Sequence, residues 1–562
     1  MRQERGASQV LFGFLPLQTA DLEGGVWRVV KWVDPVALSV DREAVRSALA
    51  SAVARWATAG ADDGLFAELA QKSDFDVIAV NTDRGVLVEE FPRLWRCRAC
   101  GRVTKSSGRC RCGKATSVQL PLVSYHRCGS AEEPLVPTCP IHHEIAVQRS
   151  GTTALSEQRF FCPVCQQTVK WGFVPKKCSC GDGTYMSTTV HRAASVYTPH
   201  LAVVVNPADP EASAKIRAAG GGARALDWVL DGMPEPGPFA GQQTVSGLVE
   251  MLLKSGLSLE TAQELAQQAA DKGEVAPAGP ATPVTGKARA LAEEEAFSLA
   301  TAVEAGRMTL NELTRRATPP MKSRYESGYR RAIERAKLES VDFLPSFPVL
   351  TFAYGFSRDS FKLPMSRLVP FRDRGRLRLH AAMARTEALL FRLDPTCVEA
   401  WLRERGMGQG KPSVSAKEAR VSLLSSLSGV GPLEDVIPAL DQALYRLLHS
   451  YAHRAIRRLA AFAGIERDSL SEYLVPSHAA FVVYAAAKGD FVLGGLQAVF
   501  ETSLDKFLDD VVDGESRCPL DPGCRSGGGA CMACIHLGEP SCRWFNRQLD
   551  RAVLFGQTGL LR

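Results

Sequence analysis

WRCRACGRVTKSSGRCRCGK, residues 95–114, decides how the first half of the chain is built. It opens with Cys97-x-x-Cys100 and, after nine intervening residues, closes with Cys110-x-Cys112; Gly101 and Gly113 follow the two pairs. Pairs this tight suit a tetrahedral metal better than a disulfide network, and a glycine after a pair lets the backbone turn back so that amides reach the sulfurs. The pattern recurs as Cys162-x-x-Cys165, twelve residues, then Cys178-x-Cys180 with Gly181. Each set supplies four thiolates. The spacing predicts two closed four-cysteine zinc sites that staple small ribbons, against a reading as unrelated buried thiols or as ligands exchanged between the sets.

Between the sets sit Cys128, Cys139, His142 and His143, with His126 nearby. Cys139-x-x-His142 has ligand spacing and marks a third candidate site, weighed against a packed thiol beside polar histidines. A second cysteine block near the end holds Cys518, Cys524, Cys531, Cys534 and Cys542 beside Gly527, Gly528 and Gly529. Five thiols compete for four positions. Cys524, Cys531, Cys534 and Cys542 are the expected set, with Cys518 the spare. Cys397 stands alone after Asp394-Pro395 and reads as an inert core thiol. The expected complement is two to four Zn2+ ions, structural because thiolate-only sites leave no open position for water.

The 562 residues are 45% hydrophobic and 23% charged, which excludes global disorder and a fibrous repeat. At roughly 150 residues per domain the length accommodates about three or four domains. The net charge is only +6, so nucleic-acid contact requires local basic patches. The first 17 residues lack a signal-peptide pattern, and no run approaches the roughly 18 apolar residues of a membrane span; the longest, near 479–487, is broken by Lys488, Gly489 and Asp490. Unpaired, metal-spaced cysteines fit a reducing cytoplasm.

The expected class is α+β and multidomain, with zinc ribbons inserted near the N-terminal half, a helical middle, and an α/β C-terminal half carrying a four-cysteine insert. The boundaries read as an N-terminal α/β domain (1–94), a zinc-ribbon region (95–190), a strand plus helical region (191–345), an α/β segment (346–420) and a C-terminal domain (421–562). Strands are predicted at 25–33, 77–81, 85–89, 201–205, 349–354 and 387–392, and a helix at 42–57. Ser258 is a cap for a helix through 270 with Leu259, Ala262, Leu265, Ala266 and Ala269 on one face, and Thr309 with Glu312 makes a capping box. The Pro/Ala/Gly-rich stretch 273–285 is the expected linker.

No motor is visible. The nearest approach to a phosphate-cradling loop, 279–287, has six residues between its glycines and Ala288 where a magnesium-binding hydroxyl belongs, so no nucleotide is expected. The best catalytic candidate is His449-x-x-x-His453 with Glu472 as a third ligand, a metal-dependent hydrolase reading ranked below a structural or polar-surface role. Leu444, Leu447, Leu448, Tyr451, Ala455 and Leu459 form the apolar stripe of that helix.

For nucleic acid, residues 93–114 carry Arg93, Arg96, Arg98, Arg102, Lys105, Arg109, Arg111 and Lys114 with no acidic residue, a candidate phosphate-binding surface. A second basic run includes Arg324, Arg330, Arg331 and Arg335, and a third Arg367, Arg372, Arg374, Arg376 and Arg378. Each is weighed against an ordinary solvated face.

The C-terminal residues Leu447-Leu448-His449-Ser450-Tyr451-Ala452-His453, Ser469-Leu470-Ser471-Glu472-Tyr473-Leu474, Leu493-Gly494-Gly495-Leu496, the cysteine group, Phe545-Asn546 and Leu549-Asp550-Arg551 resemble the zinc-binding domain found beside MrfA-type superfamily 2 helicases. With the ribbon pairs, Arg192-Ala193-Ala194-Ser195-Val196-Tyr197, Tyr354-Gly355-Phe356-Ser357-Arg358, Thr386-Glu387-Ala388, residues 391–395 and Trp401, most of the chain outside roughly 210–345 is similar to the DrmB family of the DISARM anti-phage system. It departs in using Cys-x-Cys for the second half of each ribbon and in its extra C-terminal thiol. The resemblance implies a non-catalytic subunit that pairs with a DrmA-like helicase, contacts DNA with it and helps restrict phage DNA, with no membrane role. A purely structural zinc-ribbon adaptor between proteins is the alternative.

Overall fold

The computed structural model describes residues 1–114, 117–148, 154–207, 220–235, 237–238, 248–249, 252–253, 255–271, 286–359, 366–408, 410–432, 434, 436–486, 494–538, 541–542, 544 and 546–562. The linker expected at 273–285, and Leu493 and Phe545, lie outside them. The class is mixed α and β, with several sheets and cysteine clusters consistent with zinc ribbons. The chain divides into two compact units, Met1–Val204 with Leu350–Met383, and Val205–Val349 with Ala384–Arg562.

In the first unit the stretches read as strands at 25–33 and 85–89 are Gly25–Trp32 and Val86–Glu90, antiparallel neighbours in a four-stranded sheet. A register shift between Val29 and Lys31 lets Val29 and Trp32 enter the same core with Val86 and Val88, a spacing of three that strict alternation forbids. The helix read at 42–57 is Arg42–Thr58; the Asp41 carboxylate caps it, accepting from the Glu43 and Ala44 amides at 3.0 and 3.1 Å. Its buried face, Val45, Leu49, Val53 and Trp56, covers Phe75 and Val77 of the strand Phe75–Ala79, which runs parallel to Leu377–Ala381. Arg358 is 1% exposed and is held by the carbonyls of Gly129 (2.7 Å), Leu17 (3.2 Å) and Val196.

Three small three-stranded sheets complete this unit: Val103–Thr104, Trp95–Cys97 and Ser117–Gln119; Ala131–Glu132, Leu122–Tyr125 and Ser187–Val190; and Ala146–Gln148, Arg159–Phe161 and Thr168–Trp171. Their cores are minute. The third buries Ile145, Val147 and Phe160. At about 1.5–3 kcal/mol apiece, these side chains cannot offset backbone ordering that costs about 1–2 kcal/mol per residue across such a ribbon. The cysteines are placed where metal cross-links would add to so small a core.

The second unit is built on the helix Ala439–Ala463, laid against the antiparallel pair Leu470–Val475 and Ala480–Ala485 and flanked by Gly495–Thr502 and Leu504–Asp513. The predicted stripe from Leu444 to Leu459 is buried, 0–1% exposed along its length. The strand read at 387–392 lies within Arg376–Leu393, and its residues Ala388–Arg392 pair with Ala480–Tyr484. The Glu387 carboxylate accepts from the Leu496 and Gln497 amides at the start of Gly495–Thr502. Trp401 donates to the Thr558 carbonyl at 2.9 Å. Thr309 caps Leu310–Arg316, accepting from the Glu312 amide at 3.2 Å, which is one half of the expected capping box; the Glu312 carboxylate pairs with Arg316. The helix Leu259–Asp271 departs from the predicted face: Ala262 and Ala266 are fully buried, whereas Leu259 and Leu265 are exposed, so small side chains rather than leucines make its contact.

Candidate metal centres

The first ribbon brings Cys97, Cys100, Cys110 and Cys112 together, as their spacing predicts. Trp95–Cys97 pairs antiparallel with Ser117–Gln119, Cys97 opposite Ser117, which returns the second pair to the first. The Gly101 amide donates to the Cys97 carbonyl at 3.1 Å, closing the turn. Gly101 takes φ +72°, and a Cβ there would meet the Val147 carbonyl oxygen at 2.7 Å, so glycine is required at this knuckle. The sulfurs of Cys97 and Cys112 are 3.7 Å apart, and those of Cys100 and Cys110 3.5 Å. A tetrahedral zinc with Zn–S bonds of about 2.3 Å sets its sulfurs about 3.8 Å apart, whereas a disulfide needs about 2.05 Å. The spacing is that of a metal site. Burial raises the Cys97 thiol, but the Cys100 and Ala99 amides outweigh it and bring the thiol down to about 6, while burial and the neighbouring sulfurs push the Cys100 thiol up to about 12.

The second expected set does not assemble. Cys162 and Cys165 join Cys139 and His142, while Cys178 and Cys180 join His126 and Cys128. Strand register explains the exchange. Leu122–Tyr125 pairs antiparallel with Ser187–Val190, Tyr125 opposite Ser187, so the residues that follow Tyr125 meet those that precede Ser187. Ala146–Gln148 pairs with Arg159–Phe161, Ala146 opposite Phe161, so the residues before Ala146 meet those after Phe161. One hairpin is nested inside the other. His142 Nδ1 lies 3.6 Å from the Cys139 sulfur and 3.5 Å from that of Cys162. The Cys128 and Cys178 sulfurs are 3.6 Å apart, and His126 Nδ1 is 3.6 Å from Cys180. His126 Nε2 faces Thr184 Oγ1 at 2.6 Å and Asp182 at 3.3 Å, which orients the ring with Nδ1 toward the sulfurs. His143, also a candidate, is exposed, stands outside both groups and uses its amide on the Cys139 carbonyl.

The C-terminal set is Cys518, Cys524, Cys531 and Cys534, so Cys518, expected to be the spare, replaces Cys542. Separations of 3.5 Å (Cys518 to Cys531) and 3.7 Å (Cys524 and Cys531, each to Cys534) again match a tetrahedral edge. Asp521, three residues beyond Cys518, is gripped bidentately by Arg551 at 2.8 and 2.9 Å, which fixes this loop.

Cys542 lies instead with His449, His453 and Glu472, all four within 4.8 Å of one another through their ligand atoms and all buried. His449 and His453 are therefore not on a polar surface: both are 0% exposed, with the Arg547 and Ile535 carbonyls against their rings. Glu472 shares the sheet face of Leu470 and Leu474, which the helix covers. Burial opposes charging of His449, but the Glu472 carboxylate beside it prevails and pushes the imidazole up to about 10. Burial likewise opposes ionisation of Glu472, and the two imidazoles prevail, holding its carboxyl well below the usual range.

The basic patches are partly spent within the fold. Glu144, distant in sequence from the 93–114 run, pairs with Arg102 at 3.1 Å and approaches Arg111 at 3.9 Å. Arg96 donates to the Val147 carbonyl. Arg93, Arg98, Lys105, Arg109, Arg111 and Lys114 are exposed, several of them lining a cleft of about 1150 Å3 that Glu132, Glu133 and Glu144 also line. In the second run Arg324 is held by Asp505 (2.7 Å) and Arg335 by Asp509 and Asp513, while Arg330 bonds Asn311 and Arg331 is exposed. In the third, Arg372 pairs with Glu68, Arg376 with Asp76 and Asp74, and Arg378 with Asp373.

Cys397 is half-buried on the helix Pro395–Glu404, its thiol raised by burial and by Asp394. No helix among the described residues is long and apolar enough to cross a membrane.

Residues 6–198 match the family described as a domain of unknown function, DUF8724. Over 126 residues the chain is 32% identical to the DISARM protein DrmB of Bacillus paralicheniformis (strain ATCC 9945a / NCIMB 11709 / CD-2), a match covering 20% of this chain and 22% of that protein. The match thus spans about a fifth of the relative's length, and over that stretch the chain is related to a DrmB of the DISARM system.

Proposed function

We propose that this chain is a zinc-stapled, non-catalytic accessory subunit of a cytoplasmic anti-phage defence system, pairing with a DrmA-like superfamily 2 helicase and helping it grip DNA. The observation that carries the reading is the set of four thiolate-rich clusters whose sulfur and nitrogen separations match closed tetrahedral sites. Such sites shape a scaffold and leave no open position for chemistry. Residues that carry the resemblance to the DrmB family act as stitches: Arg358 on three carbonyls, Glu387 on a helix start, Trp401 on the Thr558 carbonyl. The exposed cations of the first ribbon supply phosphate contacts that give affinity without sequence information.

A second reading, a protein–protein adaptor, is favoured by the acids Glu132, Glu133 and Glu144 in the same cleft, since mixed charge suits a protein surface better than a polyanion. Reversal of Arg98, Lys105 and Arg109 to glutamate, in chain co-expressed with its neighbouring helicase, separates the two. The accessory reading expects the helicase to stay bound while DNA affinity and its salt dependence fall. Loss of the helicase with DNA affinity of the remainder unchanged favours the adaptor.

A further inference from the structure

The cluster of His449, His453, Glu472 and Cys542 is not needed by the reading above, and its chemistry is particular. Each imidazole uses Nδ1 on a backbone carbonyl, His449 on Arg547 at 2.6 Å and His453 on Ile535 at 2.8 Å. A carbonyl only accepts, so Nδ1 carries a proton in both rings, and each Nε2 is turned inward, where it takes either a metal ion or a second proton. There the two nitrogens meet a carboxylate and a sulfur: His449 Nε2 is 3.0 Å from Glu472 Oε1 and 3.2 Å from Cys542 Sγ, and His453 Nε2 is 3.4 Å from Glu472 Oε1. The Asn546 amide donates to the Cys542 sulfur at 3.2 Å, a bond that favours thiolate. His453 Nε2 and both Glu472 oxygens are buried without a hydrogen-bond partner. Buried polar atoms left without a partner are costly, and a cation among them would satisfy all of them at once.

We infer that His449 Nε2, His453 Nε2, a Glu472 oxygen and Cys542 Sγ bind one further zinc ion in a closed structural site distinct from the four thiolate-rich ones. Bonds of about 2.0–2.1 Å to nitrogen and oxygen and about 2.3 Å to sulfur place tetrahedral ligands roughly 3.3–3.6 Å apart, close to the separations here. A dication balances the carboxylate and thiolate with both rings neutral, so the buried set carries no net charge. The carbonyls of Arg547 and Ile535 orient the rings in the manner of an outer shell. With four protein ligands and complete burial, the site excludes substrate; it clamps the strand Leu470–Val475 and the last turns of the chain onto the helix Ala439–Ala463. The hydrolase suggested by His449, His453 and Glu472 would need an open position that Cys542 fills.

Two measurements on the full chain test this. A zinc-edge anomalous difference map of crystals of the unaltered protein is expected to show a peak within bonding distance of the four atoms. Elemental analysis is expected to find five zinc ions per chain, matching the five clusters among the described residues, and one fewer in Cys542→Ser and in Glu472→Gln. A map with peaks at the four thiolate-rich sites and none here overturns the inference, leaving protons in the metal's place. So does an unaltered zinc count in variants that remain folded. If the variants fail to fold, the map alone decides.

Discussion

The sulfur of Cys128 lies 3.6 Å from that of Cys178, fifty residues further along the chain, although Cys178 is closer in sequence to Cys162 and Cys165. The nested hairpins make this pairing, and it determines which ligands share an ion.

Loss of ligands should therefore be additive between sites and not within them. Cys128→Ser combined with Cys178→Ser is expected to release one zinc per chain, whereas Cys128→Ser combined with Cys162→Ser releases two, measured by elemental analysis after gel filtration. Cys162→Ser with Cys178→Ser separates the two groupings: it is expected to release two, whereas grouping by sequence neighbourhood has it release only one.

The order of half-sites, His126 and Cys128, Cys139 and His142, Cys162 and Cys165, Cys178 and Cys180, is palindromic, and that signal was available in the sequence. Cys-x-Cys and Cys-x-x-Cys repeats drew the two later halves together because spacing reports local turns, not which strands pair. The first ribbon was legible since its strands enclose all four ligands within one hairpin. Strands at 25–33 and 85–89 and the helix at 42–57 followed from periodicity. The burial of His449 and His453 was not legible: the helical pattern separates an apolar face from a polar one but cannot say that a distant segment covers the polar side. Acids such as Glu144 were likewise invisible to a charge count confined to residues 93–114.

Glu295 gives the fold a pH dependence. Its carboxyl is buried and accepts from the Ser477 amide at 2.8 Å, and burial pushes its pKa up to about 8. An acid raised in the folded state favours the fold when protonated, so its contribution is present at low pH and is lost as pH rises from about 4.5 to about 8. Glu295→Gln is expected to stabilise the chain by about 1–3 kcal/mol at pH 8 and by little near pH 5, read from denaturant midpoints at both pH values. Equal effects at the two pH values would contradict this.

Arg358 is a buried cation that bonds three carbonyls. Arg358→Met keeps bulk and removes the donors, leaving carbonyls unsatisfied, and is expected to destabilise by about 2–4 kcal/mol. A shift in urea midpoint equivalent to less than about 0.5 kcal/mol would show that water replaces the guanidinium without loss.

For the first ribbon, the logarithm of DNA affinity should fall linearly with the logarithm of salt, each phosphate contact adding about 0.9 to the slope. Replacing Arg98, Lys105 and Arg109 together is expected to reduce that slope by about 2–3 in the helicase complex. An unchanged slope would place the DNA contacts elsewhere.

Hydrogen exchange with mass spectrometry, before and after chelation, tests most directly whether metal holds the ribbons in shape. After zinc is stripped, amides of Trp95–Cys97, Leu122–Tyr125 and Arg159–Phe161 are expected to lose protection while those of Ala480–Ala485 in the large core keep theirs. Full protection of the three ribbon strands in metal-free chain would contradict it.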